Sequence, residues 1–259
     1  MSSGNSPLVL IHGFTGQAEV WSGIQSIFSE FLACHAIELP GHGVYTDLND
    51  AAAFTFSGAS TRIIHEFTER GLQRVNLWGY SLGGRMAMHV ALSNPECIDF
   101  LILESSSPGL ADPAERQARV QSDEELAQRI ESEGVESFVD YWINQPLFAS
   151  QKLLPPAKQE LGRRLRLQGT ATGYAAALRA FSVGRQEPLH NRLRELTMPV
   201  LVIAGELDQK YRELGAYMAD SIPNAQFRII SGAGHAPHWE RPAETASAVA
   251  EFIQTVSRS

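Results

Sequence analysis

The chain has 259 residues, 44% of them hydrophobic and 19% charged, with a net charge of −8. That is enough for one large α/β domain with a sizeable core, and the acidic balance argues against general nucleic-acid binding, which needs a strong cationic patch. No run of about 18 apolar residues could span a membrane, and the two distant cysteines, Cys34 and Cys97, make neither a disulfide framework nor a metal site.

Met1 to Ser6 lacks a basic stretch leading into an apolar one, so no secretory signal is expected and a cytoplasmic protein is. Pro7 to Ile11 reads as a strand feeding the loop His12-Gly13-Phe14-Thr15-Gly16. Trp21, Ile24, Ile27, Phe28 and Phe31 have helical spacing. Cys34 to Leu39 is a second strand, stopped by Pro40-Gly41-His42-Gly43. A helix over Phe56 to Arg70 follows, with Ser57 as its expected cap and Gly71 as its stop. The strand Arg74 to Trp78, the helix Gly84 to Leu92 and the strand Ile98 to Leu103 continue the alternation, which implies a parallel sheet with right-handed crossovers.

The pattern breaks after Glu104. Residues 105–191 are helical, charged and without clear strands, and read as a cap inserted into a core formed by 1–104 and 192–259. Ten of the eighteen arginines lie between Arg116 and Arg194, against three lysines in the whole chain, Lys152, Lys158 and Lys210. The strands Met198 to Ala204 and Ala225 to Ile230 and the helices Lys210 to Asp220 and Ala243 to Val256 complete the core. Only six residues precede the first strand, so a sheet of six or seven strands is expected.

Gly79-Tyr80-Ser81-Leu82-Gly83 fits G-x-S-x-G between a strand and a helix, the setting of a nucleophile elbow. A tight turn strains the serine, and its neighbours two positions away must lack side chains. A serine hydroxyl is weak until an imidazole polarises it, and the imidazole needs an acceptor to fix its tautomer. On such a sheet the partners follow in the order Ser, acid, His. Asp208 and His235 each follow a late strand, which makes Ser81, Asp208 and His235 the expected triad. Glu206 and Glu104 are alternative acids, and His238 is an alternative base. His12 and His42 are expected to hold loops. The amides of Leu82 and Phe14 are placed to hold an oxyanion. Arg85 stands four residues after Ser81, on the same helical face, and its side chain leans back towards the site. It is either a partner for a substrate carboxylate or a surface arginine paired with an acid.

The elbow, the His-Gly-Phe loop, Leu39-Pro40-Gly41-His42-Gly43 and the late Asp and His resemble the α/β-hydrolase superfamily. Tyr80-Ser81-Leu82-Gly83-Gly84-Arg85, Ser107-Pro108-Gly109-Leu110, Glu115-Arg116-Gln117-Ala118-Arg119 and Trp142 with Pro146-Leu147-Phe148 resemble, within it, the 2-succinyl-6-hydroxy-2,4-cyclohexadiene-1-carboxylate synthases of menaquinone biosynthesis. That resemblance implies a lyase that eliminates pyruvate from an enolpyruvyl polycarboxylate without cofactor or metal. It implies Ser81 as base, His235 as acceptor of its proton, Asp208 as the group orienting His235, and Arg85, Arg119 and Arg166 as carboxylate partners. Tyr80, Trp142 and Phe148 would line the pocket, although Trp142 also suits a core position. A carboxylesterase or thioesterase using Ser81 covalently is the competing enzyme, and a non-catalytic ligand receptor the third reading.

Overall fold

In the computed structural model, which describes residues 6–43, 45 and 50–257, the strands form one six-stranded parallel sheet among those residues. Residues 1–5, read above for a leader, lie outside the description. The strands are β1 (Leu8–Ile11), β2 (Cys34–Ile37), β3 (Val75–Tyr80), β4 (Ile98–Glu104), β5 (Val200–Gly205) and β6 (Ala225–Ile230), in the spatial order β2-β1-β3-β4-β5-β6. The helices in chain order are α1 (Ser22–Phe28), α2 (Phe56–Glu69), α3 (Leu82–Ser93), α4 (Pro113–Ile143), α5 (Pro156–Leu167), α6 (Ala171–Ala180), α7 (Gln209–Ser221), α8 (Pro237–Glu240) and α9 (Pro242–Val256). No described helix is long and apolar enough to cross a membrane.

Both faces of the sheet are covered, so the strands are continuous apolar runs whose side chains sort by parity. Leu8, Leu10, Trp78, Ile102, Leu201 and Ile203 pack with Trp21, Ile24 and Phe28 of the α1 region and with Val249 and Phe252 of α9. Val9, Ile11, Leu77, Leu101, Leu103 and Val202 pack on the other face with Ile63 and Phe67 of α2, Met86 and Val90 of α3, and Met218 of α7. Each fully buried Leu, Ile or Val contributes about 1.5–3 kcal/mol.

Two local expectations need correction. The helix read from Trp21 to Phe31 starts as a 3-10 turn over Ala18–Trp21 and ends at Phe28, because the chain must turn there to bury Leu32 and enter β2. Thr55, not Ser57, caps α2. Its backbone is extended and its hydroxyl accepts the Gly58 N–H at 2.9 Å, whereas Ser57 already lies inside the helix.

Between β4 and β5 the described chain is helical. Ala127, Ile130, Phe138, Val139, Tyr174, Ala175 and Leu178 of α4 and α6 form a third apolar cluster, into which Phe14 and Trp142 pack. Gly134 interrupts α4 at φ 84°, a conformation that favours glycine, so the apolar stripe changes direction midway.

The strand order fixes where chemistry can occur. From β1 the chain steps to one side to form β2 and returns to the other side to form β3. The loops leaving the carboxyl ends of β1 and β3 therefore diverge and leave a crevice between them, as at the switch points of open α/β sheets. Phe14 lies in the first of these loops and Ser81 at the second.

Candidate active site

Ser81 follows β3 at φ 52° and ψ −110°, a strained conformation for a residue with a side chain. Its surroundings enforce it. A Cβ at Gly79 would run into the Gly83 carbonyl, and one at Gly83 into the carbonyl oxygens of Ile11 and His12. The Ser81 N–H donates to the Glu104 carbonyl at 2.8 Å, and Ser106 Oγ donates to the Ser81 carbonyl at 3.1 Å. Gly83→Ala is expected to destabilise the fold by about 1–3 kcal/mol, because the obstacles are backbone atoms that cannot rotate away. A thermal melt reads this directly, and an unchanged midpoint would mean the elbow has slack.

His235 bridges the serine and the acid. Its Nε2 lies 3.1 Å from Ser81 Oγ and its Nδ1 lies 2.8 Å from Asp208 Oδ2. Both partners of the serine are buried, His235 at 2% exposure and Asp208 at 9%. Asp208 is held from a second side: as N-cap of α7 its Oδ1 accepts the Tyr211 N–H at 3.3 Å. With the Nδ1 proton committed to Asp208, the Nε2 lone pair faces the hydroxyl, as a general base requires.

The alternatives have other partners. Glu104 Oε2 accepts from Trp78 Nε1 at 2.9 Å, and its Oε1 lies 2.7 Å from His238 Nδ1. His238 stacks on Trp21 at 4.2 Å between ring centres. Glu206 accepts from Ser231 and from the Gly232 N–H. His12 and His42 are fully buried and hold loops: His12 Nε2 accepts the Leu39 N–H and His42 Nε2 the Thr15 N–H, each at 3.1 Å. Burial pushes His42 down to about 3, so its ring is neutral and accepts.

Leu82 opens α3, so its N–H lies in the first turn, where amides lack helical acceptors. Phe14 sits in a turn closed by Gly16 N–H to Gly13 O at 3.0 Å, and its own N–H has no protein acceptor among the described residues. Phe14 serves as core as well, with its ring edge-on to Trp142 at 5.4 Å and to Tyr174 at 5.8 Å. Ser81, Leu82 and Phe14 open into one cavity of about 260 Å³, whose wall includes Arg85, Arg119 and Trp142.

Arg85 has no acidic partner among the described residues, so it is not the paired surface arginine of the sequence alternative. Its Nη1 donates to the Phe181 carbonyl at 2.9 Å and to Gln186 Oε1 at 3.2 Å. Burial pushes its pKa down to about 10, so it remains a cation at neutral pH.

The alpha/beta hydrolase family matches residues 8–248. The 2-succinyl-6-hydroxy-2,4-cyclohexadiene-1-carboxylate synthase of Citrobacter koseri is 34% identical over 97% of this chain and 95% of its own length. The chain belongs to this synthase family. MenH from S. aureus has the same fold at a TM-score of 0.94, with 32% identity over 99% of this chain and 96% of that one. A thermophilic esterase from Thermogutta terrifontis, solved with malate bound, has a TM-score of 0.86 and 25% identity over 97% of this chain and 90% of that one.

The residues assigned through the synthase resemblance fall into two adjoining groups. Arg119 lines the main cavity, but its Nε is paired at 2.8 Å with Asp123. Trp142 lines the same cavity while packing on Phe138 and Phe148, each at 5.7 Å, so it is both core and wall. Tyr80, Phe148 and Arg166 line a smaller cavity that shares Phe14 with the first. Arg166 donates to the Gly162 carbonyl, its Nε is buried without a hydrogen-bond partner among the described residues, and burial holds its pKa below the usual arginine range. Its neighbour Arg163 is paired with Asp140 and Glu136, and Arg164 is exposed.

Sequence reasoning missed two members of the site. The Tyr211 ring packs 4.6 Å from that of His235 and lines the main cavity, and burial raises its phenol pKa, which keeps it protonated. Its position was available as a signal, since the third residue of a helix capped by Asp208 must lie beside that acid. Gln186 reaches Arg85 across 101 positions of sequence and left no local signal.

Proposed function

We propose that this chain is a carbon–oxygen lyase that eliminates pyruvate from 2-succinyl-5-enolpyruvyl-6-hydroxy-3-cyclohexene-1-carboxylate to give 2-succinyl-6-hydroxy-2,4-cyclohexadiene-1-carboxylate. One observation carries the reading: in a member of the synthase family, a hydrogen-bonded Ser81–His235–Asp208 relay opens into a cavity with a half-buried Arg85 that pairs with no acid among the described residues. His235 Nε2 takes the Ser81 proton, and the serine oxygen removes a proton next to the succinyl ketone. The amides of Phe14 and Leu82 hold the resulting enolate oxygen, with the amino end of α3 adding favourable charge. The enolate re-forms its carbonyl as the carbon–oxygen bond to the enolpyruvyl group breaks, and the departing enolate takes the proton held on His235 Nε2 to become pyruvate. Arg85, Arg119 and Arg166 hold substrate carboxylates, and Tyr80, Trp142 and Phe148 shape the walls. Asp123 already takes part of the Arg119 charge, so Arg85 is the stronger partner.

We treat residues 105–191 as a cap over a core of 1–104 and 192–259, a division supported by the separate apolar cluster of α4 and α6. A small cytoplasmic polycarboxylate is the partner that the arginines of the cavity wall favour, and the net charge of −8 argues against a nucleic acid or an anionic membrane surface.

The esterase alternative uses the same relay, and the esterase likeness keeps it in view. The two part on charge, because a neutral ester has no use for Arg85. Purified protein is expected to release pyruvate from the enolpyruvyl precursor much faster than it cleaves p-nitrophenyl esters. Fast ester turnover without pyruvate would overturn the lyase. Arg85→Ala is expected to lower kcat/KM for the carboxylate substrate about 10²-fold, the worth of a lost charge-assisted pair, and to spare small neutral esters. Equal losses on both would make Arg85 structural.

A further inference from the structure

The other carboxylate-facing arginine of the main cavity shows what is unusual about Arg85. Arg119 meets Asp123 at 2.8 Å, so an acid already takes part of its charge. The acceptors that hold Arg85 are both neutral, the Phe181 carbonyl and the side-chain amide of Gln186. The Phe56 ring covers the guanidinium at 5.5 Å. Its other nitrogens make no hydrogen bond to the described residues, and the side chain lines the cavity beside Ser81.

Gln186 is built to stay where it is. It is 1% exposed, its backbone N–H donates to the Ser182 carbonyl at 3.2 Å, and its side chain rests against Gly109, where an added Cβ would come within 3.4 Å of Cδ. A guanidinium offers only donors, so the amide must turn its oxygen to Arg85; its Nε2 is left buried without a partner among the described residues. Glutamate has the same shape and would fill the same space. It would give Arg85 a stronger bond and also discharge it.

We propose that Gln186 is a positioning and specificity-determining residue, a neutral acceptor that aims Arg85 into the cavity and leaves its charge free for a substrate carboxylate. This rests on the carboxylate substrate of the proposed function. A charge at position 186 would compete with the substrate for one guanidinium, in the ground state and the transition state alike. Such uniform binding appears in KM and not in kcat.

Gln186→Glu tests it. Succinate, titrated into wild type and variant by calorimetry, is expected to bind the variant about 10-fold more weakly. KM for the enolpyruvyl substrate is expected to rise about 10-fold with kcat within about threefold of wild type, so that preference for that substrate over a p-nitrophenyl ester falls about 10-fold. Gln186→Met keeps bulk without acceptor or charge, and a KM raised about threefold is expected. Succinate affinity and KM within twofold of wild type in Gln186→Glu would overturn the proposal, as would equal losses on carboxylate and ester. If the glutamate variant does not fold, the methionine variant decides, and a wild-type KM there overturns the positioning role. Should wild type release no pyruvate, the lyase reading fails separately, and the succinate titration still judges Gln186.

Discussion

Ser81→Ala is expected to lower pyruvate release at least about 10³-fold while the protein stays folded. The loss is large because one atom serves every step. Ser81 Oγ lies 3.1 Å from His235 Nε2 and is the only group of the relay that opens towards the two candidate oxyanion amides. Without it the imidazole is too far back to reach a substrate carbon, and water must act as the base. The residual rate reports what binding and the amides of Phe14 and Leu82 achieve alone. A companion variant separates chemistry from strain. Ser81→Gly removes the same hydroxyl but frees a backbone held at φ 52° and ψ −110°. Relief of that strain, less the added entropy of glycine in the unfolded chain, gives about 1 kcal/mol of stability, or a Tm higher by about 2–4 °C. An inactive but more stable variant is therefore the expected pair of results. The same serine decides between the two enzyme readings, because proton abstraction leaves no covalent adduct whereas ester cleavage passes through an acyl-enzyme. Mass spectrometry of wild type during turnover of the enolpyruvyl substrate is expected to find the unmodified chain mass. A loss below tenfold in Ser81→Ala would remove Ser81 from the reaction.

The parts of this architecture legible in the sequence are those whose signal is local. The short apolar strands, the glycines around Ser81 and the order of Asp208 and His235 each follow from neighbours within a few positions, since elbow geometry and strand-loop placement act over that range. The parallel sheet follows from the same alternation, which allowed six or seven strands where the structure has six among the described residues. What stayed open depends on contacts between distant segments. Glu104 and His238 were plausible triad members by placement, and only their contact across 134 positions, with Trp78 as a further donor, explains why both are occupied elsewhere. The arginines of residues 105–191 are a harder case. Helical spacing puts Arg116 with Arg119, and Arg163 with Arg166, on neighbouring parts of one helical face, but does not say which way the site lies. Gly134 adds to this by turning the axis of α4 midway. Pairing decided what spacing could not: Asp140 and Glu136 hold Arg163, while Arg166 donates to the Gly162 carbonyl and lines the smaller cavity.

Asp208→Asn is expected to cost about 10⁴-fold in kcat with little loss of stability. Asparagine caps a helix as well as aspartate does, so α7 keeps its start and the fold its shape. The damage falls on the tautomer. Aspartate supplies two acceptors here, Oδ1 to the Tyr211 N–H and Oδ2 to His235 Nδ1. Asparagine has one acceptor and one donor group. With its oxygen kept on Tyr211, its NH₂ faces Nδ1, which must then accept. The ring proton moves to Nε2, where it points at Ser81 Oγ and blocks the lone pair that would take the serine proton. Turning the amide restores His235 but sets two donors against each other at the start of α7. Either state lacks a base or strains the cap, and the first is cheaper because it disturbs no backbone bond. Raising the pH does not repair it, since a neutral imidazole with the wrong tautomer stays wrong. The variant's pH–rate profile is therefore expected to lie low throughout rather than shift. A fall of less than tenfold, or recovery at high pH, would mean that Asp208 does not orient His235.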